Sequence, residues 1–296
     1  MSGLPLGAVI CAFVAALLFA VSAVAQQQAA SEVPDGDALM RSLIRSPRWW
    51  AGMIGDGGGF AFQVAALAMG SVLIVQPILV SALVFALPLA ARFSGRKTTP
   101  AMWLTALALS MALAVFLIVG DPTPGLTHAR LHRWVLPLLV IFLLVAAALV
   151  VSRMAKTSAL RALMLGAAGG TLVGVSAALT EYVTQLFERS VGHALTSWEL
   201  YLLIATGLCG VYLQQVGYQA GSLAACLPAF TVAEPLVAAF VGITVLDERL
   251  RSGPIGTVFV LIAVVTMCLA AVVLSRAQAG DPLETLDPEP VSQRSQ

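Results

Sequence analysis

The chain has 296 residues, of which 59% are hydrophobic and only 10% are charged, with a formal net charge of +1. Soluble domains carry about 25% charged residues, so this composition excludes an ordinary soluble domain. The sequence contains no basic patch interleaved with aromatic residues, so we expect no nucleic-acid partner. The partner that the composition predicts is the lipid bilayer.

Nine apolar stretches follow one another along the chain. About 20 apolar residues at 1.5 Å each cross a hydrocarbon core of about 30 Å, and continuous rather than alternating apolar sequence indicates helices. The stretches are residues 4–25, 49–69, 71–91, 101–120, 134–152, 162–183, 198–219, 222–246 and 255–275. We therefore predict an all-α polytopic membrane protein with about nine transmembrane helices.

The first stretch, 4–25, ends in Ala-Val-Ala, as a cleaved signal peptide would. Signal peptides begin with positive charge, but no Lys or Arg precedes Arg41, so we expect this helix to be retained. The polar segment 26–48 is predicted to be a loop. The Pro-containing tail, residues 276–296, is predicted to be disordered.

An internal repeat joins two distant parts of the chain. "GFAFQVAALAMGSVLIVQP" (59–77) aligns without gaps with "GVYLQQVGYQAGSLAACLP" (210–228). The shared hairpin breaks and prolines are Gly70 and Gly221, and Pro77 and Pro228. The copies lie five predicted spans apart, so they run in opposite directions, as in secondary transporters. We predict two inverted halves, 1–120 and 121–275, with chance similarity as the alternative.

The distribution of positive charge predicts the orientation. Nine spans place the termini on opposite sides of the membrane. With a cytoplasmic C-terminus, the inside segments hold eleven of the 16 Lys and Arg residues and the outside segments hold five. The positive-inside rule favours this arrangement. We predict a protein of the cell membrane with its N-terminus outside.

Glu234 is the one charged residue of the apolar segment 222–246. A charge at the bilayer centre costs about 2.5–3.5 kcal/mol on insertion scales, so we expect this side chain to face the bundle interior. Pro235 follows directly and Pro228 lies two turns earlier, and each frees a backbone carbonyl. We interpret Glu234 as a protonatable or cation-binding carboxylate in an interrupted helix; a structural hydrogen bond is the alternative.

Amide and phenol side chains cluster in the preceding helix. Gln215, Tyr218 and Gln219 have the i, i+3, i+4 spacing of one helix face, and Tyr212 is predicted to lie on nearly the same side. We predict that this face lines a wet cavity, with a packed polar network as the alternative. The predicted substrate-contacting residues of both halves are Gln63, Gln76, Gln214, Gln215, Tyr218 and Gln219.

Glycines predict close helix packing. Gly166, Gly170 and Gly174 recur every fourth residue, a spacing that lets two helix backbones approach. The segment "GDGGGF" (55–60) has no following Lys-Ser/Thr and so does not match a phosphate loop. We predict a hinge or a close helix contact there, with Asp56 near the surface.

Residues for enzyme chemistry are scarce. The three histidines fall in predicted external loops without an HExxH motif, and the four cysteines fall inside apolar stretches. We therefore expect no enzyme activity and no cofactor.

Two motifs resemble the drug/metabolite transporter superfamily (EamA-like). The proline-bearing helix around Glu234-Pro235 is followed by "LDERLRSGPIGTVFVLIAVV" (246–265), and residues 46–80 resemble the first half of its NIPA-type magnesium transporter branch. The matching residues are Glu234, Pro235, Glu248, Arg249, Leu250 and Gly256, and Trp49, Gly52 and Pro77. The resemblance implies a bundle of two inverted halves. We interpret Glu248 and Arg249 as a gating or structural turn.

The leading hypothesis is a secondary transporter that moves a small polar or amphipathic solute by alternating access, with proton coupling through Glu234. A divalent-cation transporter of the NIPA type, with Mg²⁺ bound at Glu234, is the first alternative. A membrane subunit or lipid-carrier partner that transports nothing is the second. The expected partners are a small molecule or ion, and a homodimer stays open.

Overall fold

The computed structural model describes residues 6–34, 38–69, 75, 78–79, 81–93, 99–120, 131–245 and 253–279. The regular elements in these ranges are helices. They are α1 (Leu6–Ser31), α2 (Leu39–Ile44), α3 (Pro47–Met69), α4 (Ala82–Phe93), α5 (Pro100–Gly120), α6 (Leu131–Met154), α7 (Ser158–Arg189), α8 (Val191–Thr196), α9 (Trp198–Ala220), α10 (Leu223–Val245) and α11 (Pro254–Ala279).

Seven helices of the described part are long and apolar enough to cross a membrane. These segments are Leu6–Ser31, Pro100–Val119, Arg133–Met154, Ser158–Thr180, Trp198–Ala220, Leu223–Val245 and Ile255–Arg276. The prediction of an all-α polytopic membrane protein is therefore confirmed. The predicted spans 49–69 and 71–91 correspond to α3, which is outside this set, and in part to the short apolar helix α4. Nine spans remain a prediction.

Large apolar side chains cover the outside of the helix bundle. On α6 and α11 they form continuous exposed strips, for example Leu136, Leu139, Phe142 and Leu143, and Val258, Leu261, Ile262 and Val265. A soluble monomer rarely exposes so large an apolar surface. In a bilayer these side chains face lipid, and the helices satisfy their own backbone hydrogen bonds.

The longest helix, α7, packs against α6, α9 and α10. Its glycines at every fourth position face backbone carbonyl oxygens of α10, with Gly166 against Cys226, Gly170 against Phe230 and Gly174 against Glu234. A Cβ atom at any of these glycines would overlap the opposing carbonyl. The predicted close approach of two helix backbones is confirmed.

A second glycine face brings α3 onto α1. Gly52 lies against Gln26, Gly55 against Ser22, and Gly59 against Phe19. These three glycines are spaced by three and four residues, so they occupy one face of α3. The close helix contact predicted for residues 55–60 is confirmed.

The predicted loop 26–48 is largely helical. The first helix continues to Ser31, and residues Leu39–Ile44 form α2. The continuation is stable because Gln26, a good helix former, has its side-chain amide hydrogen-bonded inside the protein. An ion pair between Glu32 and Arg48 joins the end of α1 to the start of α3.

The predicted hairpin break at Gly221-Ser222 is confirmed, since α9 ends at Ala220 and α10 begins at Leu223. Gly221 leaves room for the carbonyl oxygen of Ser158, which would lie 2.8 Å from a Cβ atom at this position. The corresponding Gly70 lies outside the described residues.

Candidate functional site

A polar network lies where α1, α3 and α9 meet. Gln26 of α1 donates from Nε2 to the Asp56 carboxylate of α3, with a distance of 2.5 Å to Oδ2. Gln215 of α9 donates from Nε2 to Gln26 Oε1 at 2.8 Å. Ser22, one turn before Gln26 on α1, lies beside the same carboxylate. Gln26 therefore links an acid on one helix to an amide on another.

Gln215 is the deepest member of this network. Its side chain has 0% exposure, and its Oε1 accepts no hydrogen bond from the described residues. Buried polar atoms normally have a partner. Within the described residues, Gln215 Oε1 departs from this rule.

Tyr218 places a phenol close to the same acid. Its ring is 1% exposed, and its hydroxyl accepts a 3.1 Å hydrogen bond from Nε2 of Gln214, one turn earlier. The hydroxyl lies within electrostatic range of both the Cys226 thiol of α10 and the Asp56 carboxylate. Tyr218 thus connects the network to the helix that carries Glu234.

Gln219 ties α9 to the end of α1. Its Nε2 donates to the backbone carbonyl of Val33 at 2.8 Å and to that of Pro34 at 3.1 Å. These carbonyls follow the last turn of α1, where intrahelical donors are missing. The predicted substrate contact of Gln219 is occupied here by a structural hydrogen bond.

The predicted polar face of α9 is present and packs against neighbouring helices. Gln215, Tyr218 and Gln219 all point toward α1 and α3, as their spacing predicted. Each makes its own hydrogen bond, to Gln26, to Gln214 or to the end of α1, and these bonds fit the packed alternative that the sequence leaves open. Tyr212 is 46% exposed and belongs to another side of the helix.

Asp56 is the site residue that sequence reasoning missed. We expected it near the surface, whereas its carboxylate is partly buried and hydrogen-bonded to α1. Its partner comes from a segment that was predicted to be a loop. The signal that could have located it is the glycine face of α3, since Gly52, Gly55 and Gly59 flank Asp56 on the side that packs against α1.

Glu234 lies near the middle of α10 and is half-buried. Its carboxylate has no hydrogen-bond partner among the residues that the structure describes. Pro228 and Pro235 lie within α10, which runs as one helix from Leu223 to Val245. The two prolines remove backbone donors from α10 but do not end the helix.

The two acids lie at different levels of the bundle. The carbonyl of Cys226, next to the Asp56 network, opposes Gly166, whereas the carbonyl of Glu234 opposes Gly174. Eight residues separate these levels on both helices, which is about 12 Å at 1.5 Å per residue. Glu234 therefore lies about two turns along α10 from Cys226, the residue of this helix that neighbours Tyr218.

Of the other predicted site residues, the structure describes Gln63. Gln63 is half-buried on α3, two turns after Asp56. Gln76, Pro77, Gly70, Glu248 and Arg249 lie outside the described residues. Within the described ranges no three His, Cys, Asp or Glu side chains come together as a metal-binding group.

Comparison with known proteins shows similarity over nearly the whole chain. The chain is 34% identical over 276 residues to an uncharacterized protein of Corynebacterium glutamicum, covering 91% of this chain and 94% of that protein. The chain belongs to that protein's family. The similarity includes nearly all of the helical bundle. No protein-family model matches the sequence, and no solved structure matches it.

Proposed function

We propose that this protein is a secondary transporter that moves a small polar or amphipathic solute by alternating access, with Glu234 as the proton-coupling acid. The observation that carries the proposal is the pair of carboxylates, Asp56 and Glu234, held within an apolar helix bundle at two levels. Ionisable groups inside membrane segments are costly and commonly mark ion or substrate pathways.

A repeated pattern of helix contacts supports two related halves. Both α3 (Pro47–Met69) and α9 (Trp198–Ala220) have 23 residues, and they occupy aligned positions in the internal repeat. The first packs against α1 and the second against α7. In the first half α4 also packs against α1, and in the second half α10 also packs against α7.

The last helices of the two halves continue the correspondence. In each half the final helix, α5 or α11, contacts the helix before it, and these two final helices also pack against each other. Among the long helices of the described ranges, α6 is the one left without a counterpart. This pattern favours the predicted layout of nine spans in two inverted halves, which resembles the drug/metabolite transporter superfamily (EamA-like), with the N-terminus outside the cell membrane.

The solute class follows from the groups that the bundle offers. Carboxylates and amide oxygens bind donors, so amines, amino alcohols and other donor-bearing solutes fit better than simple anions. Mg²⁺ keeps several waters and needs only one or two carboxylates, so the divalent-cation alternative is tested alongside. A subunit without transport activity is the outcome if no solute moves.

The test is flux through proteoliposomes that contain the purified protein. A panel of small amines, amino acids, sugars and Mg²⁺ is offered with and without an inward proton gradient. We expect gradient-driven accumulation of a donor-bearing organic solute. Accumulation of Mg²⁺ alone would favour the NIPA-type alternative, and no flux of any solute above that of empty vesicles would contradict transport.

A further inference from the structure

The hydrogen bonds from Asp56 to Gln215 have a defined direction. An ionised carboxylate only accepts hydrogen bonds, whereas a glutamine amide accepts at Oε1 and donates at Nε2. Asp56 therefore turns the NH₂ group of Gln26 toward itself, which leaves Gln26 Oε1 for the NH₂ group of Gln215. The oxygen of Gln215 then has no donor, as the structure shows for the described residues.

Solvent does not relieve this constraint. Gln26 is 4% exposed and Gln215 is 0% exposed. The acceptor without a partner is thus a direct consequence of charge on Asp56, carried across one intervening amide. The three side chains come from three different helices, so this dependence links α3 to α9 through α1.

We propose that Asp56, Gln26 and Gln215 form a proton-responsive amide relay. A proton from the aqueous phase binds a carboxylate oxygen of Asp56, and the new O–H donates to Gln26 Oε1 once that amide has turned over. Gln26 Nε2 then donates to Gln215 Oε1, whose amide has turned as well. One O–H bond forms, no other covalent bond changes, and loss of the proton reverses each step.

The relay changes what the far end can bind. Two hydrogen bonds link the three residues in both states, but the atom without a partner changes from Gln215 Oε1 to Gln215 Nε2. With Asp56 charged, Gln215 offers an acceptor to a hydroxyl or ammonium group. With Asp56 neutral, it offers a donor to a carbonyl or carboxylate group. This inference goes beyond the transport function and does not depend on it.

The surroundings of Asp56 contain few other groups that titrate. Among the described residues, α1 presents Ser22 and Gln26, and α9 presents the phenol of Tyr218, with the Cys226 thiol of α10 behind it. The Glu32–Arg48 ion pair lies about two turns away, at the ends of α1 and α3. Helix α2, which also contacts α3, carries Arg41 in an exposed position.

The test is infrared difference spectroscopy of the full-length protein in lipid, without solute, with glutamine labelled by ¹³C at the side-chain carbonyl. Asp56→Asn identifies the carboxyl band of Asp56, and Gln215→Leu identifies the amide band of Gln215. On acidification of the wild type we expect the Asp56 carboxyl band to appear together with a shift of the Gln215 band. In Gln26→Leu the carboxyl band should remain and the shift should be lost.

Gln27→Leu is the matched control, because Gln27 neighbours Gln26 on α1 and makes no contact in the relay; it should behave as the wild type. An Asp56 band without a shift of the Gln215 band would overturn the proposal, as would a shift that persists in Gln26→Leu. Absence of any Asp56 carboxyl band on acidification would overturn it too. If a variant fails to fold, the joint or separate change of the two wild-type bands still decides.

Discussion

Gln26 holds the polar network together, because its one amide contacts both the Asp56 carboxylate and the Gln215 side chain. Each of these contacts lies inside the bundle, where a lost hydrogen bond is not replaced by water. Loss of the Gln26 amide would therefore leave two polar side chains without their partner. Gln26 also fixes which end of the Gln215 amide faces it, namely Nε2.

Removal of either amide should destabilise the protein, and the effects should not add. Gln26→Leu and Gln215→Leu each leave a buried partner unsatisfied, which costs about 1–3 kcal/mol. The double variant removes both members of the Gln26–Gln215 bond, so its loss should be smaller than the sum by about 0.5–3 kcal/mol. Thermal unfolding in detergent, measured by fluorescence, provides the comparison.

Gln27→Leu combined with Gln215→Leu is the control pair, since these residues share no contact in the network. Their effects on stability should add. Equal additivity in the two cycles would show that the Gln26–Gln215 hydrogen bond does not contribute as described.

At the residue scale, sequence periodicity predicted which polar groups share a face but not which partners they meet. Gln215, Tyr218 and Gln219 were placed together correctly because 3.6 residues per turn fixes their angular spacing. Asp56 was misplaced because its partner, Gln26, lies 30 residues away on another helix. Hydropathy had ended that helix before Gln26, and no local pattern records a contact between helices.

Glycine faces set the distances between the helices. Helix α7 uses one such face against α10 and a second against α9, where a Cβ atom on Gly169 would lie 2.8 Å from the carbonyl oxygen of Gly210. Because backbone atoms form both contacts, neither neighbour can move away by changing a rotamer. The level of Glu234 relative to the Asp56 network therefore depends on α7.

Gly170→Ala should destabilise the bundle, since the new methyl group would overlap the carbonyl of Phe230. Overpacking of this kind costs about 1–3 kcal/mol. Gly57→Ala is the control: nothing lies within 4 Å of its Cβ position, and alanine is a better helix former by about 1 kcal/mol. We expect a lower midpoint of thermal unfolding for the first variant and an equal or higher one for the second.

An equal effect of the two alanine variants would contradict the packing described for α7 and α10. It would mean that the two backbones can separate without cost. A lower midpoint of thermal unfolding for Gly170→Ala alone would support a fixed position of Glu234 along α7.

At the element scale, hydropathy located the helices that cross the bundle better than it located their ends. Seven predicted spans coincide with long apolar helices, because a continuous apolar run of this length is a strong signal. The α3 segment is weaker, since Gly and Asp56 lower its apolar content. Its place next to α1 came from glycine contacts, which hydropathy does not measure.

At the scale of the whole molecule, the described helices have an apolar outer surface and carry two half-buried acids. Exposed leucines, valines and phenylalanines cover α6 and α11, whereas Asp56 and Glu234 have intermediate burial. A bundle that crosses a membrane has two aqueous faces, and the charge distribution predicts which of them is cytoplasmic. The connection between α6 and α7 contains Lys156 and should face the cytoplasm.

Cysteine labelling tests this orientation. In a variant without native cysteines, Gly192→Cys in α8 should react with a membrane-impermeant maleimide added to intact cells, because α8 lies on the predicted outer side. Lys156→Cys should react only after the cells are opened. Both positions are exposed. The reverse pattern of reactivity would invert the predicted topology.

Proton-driven uptake in proteoliposomes tests the central claim most directly. At one proton per solute, a gradient of one pH unit can sustain about tenfold accumulation. We expect the wild type and the surface control Glu32→Gln to accumulate the solute when the gradient is imposed, and Glu234→Gln to equilibrate it without accumulation. Equal gradient-driven accumulation by Glu234→Gln and the wild type would contradict proton coupling through this carboxylate.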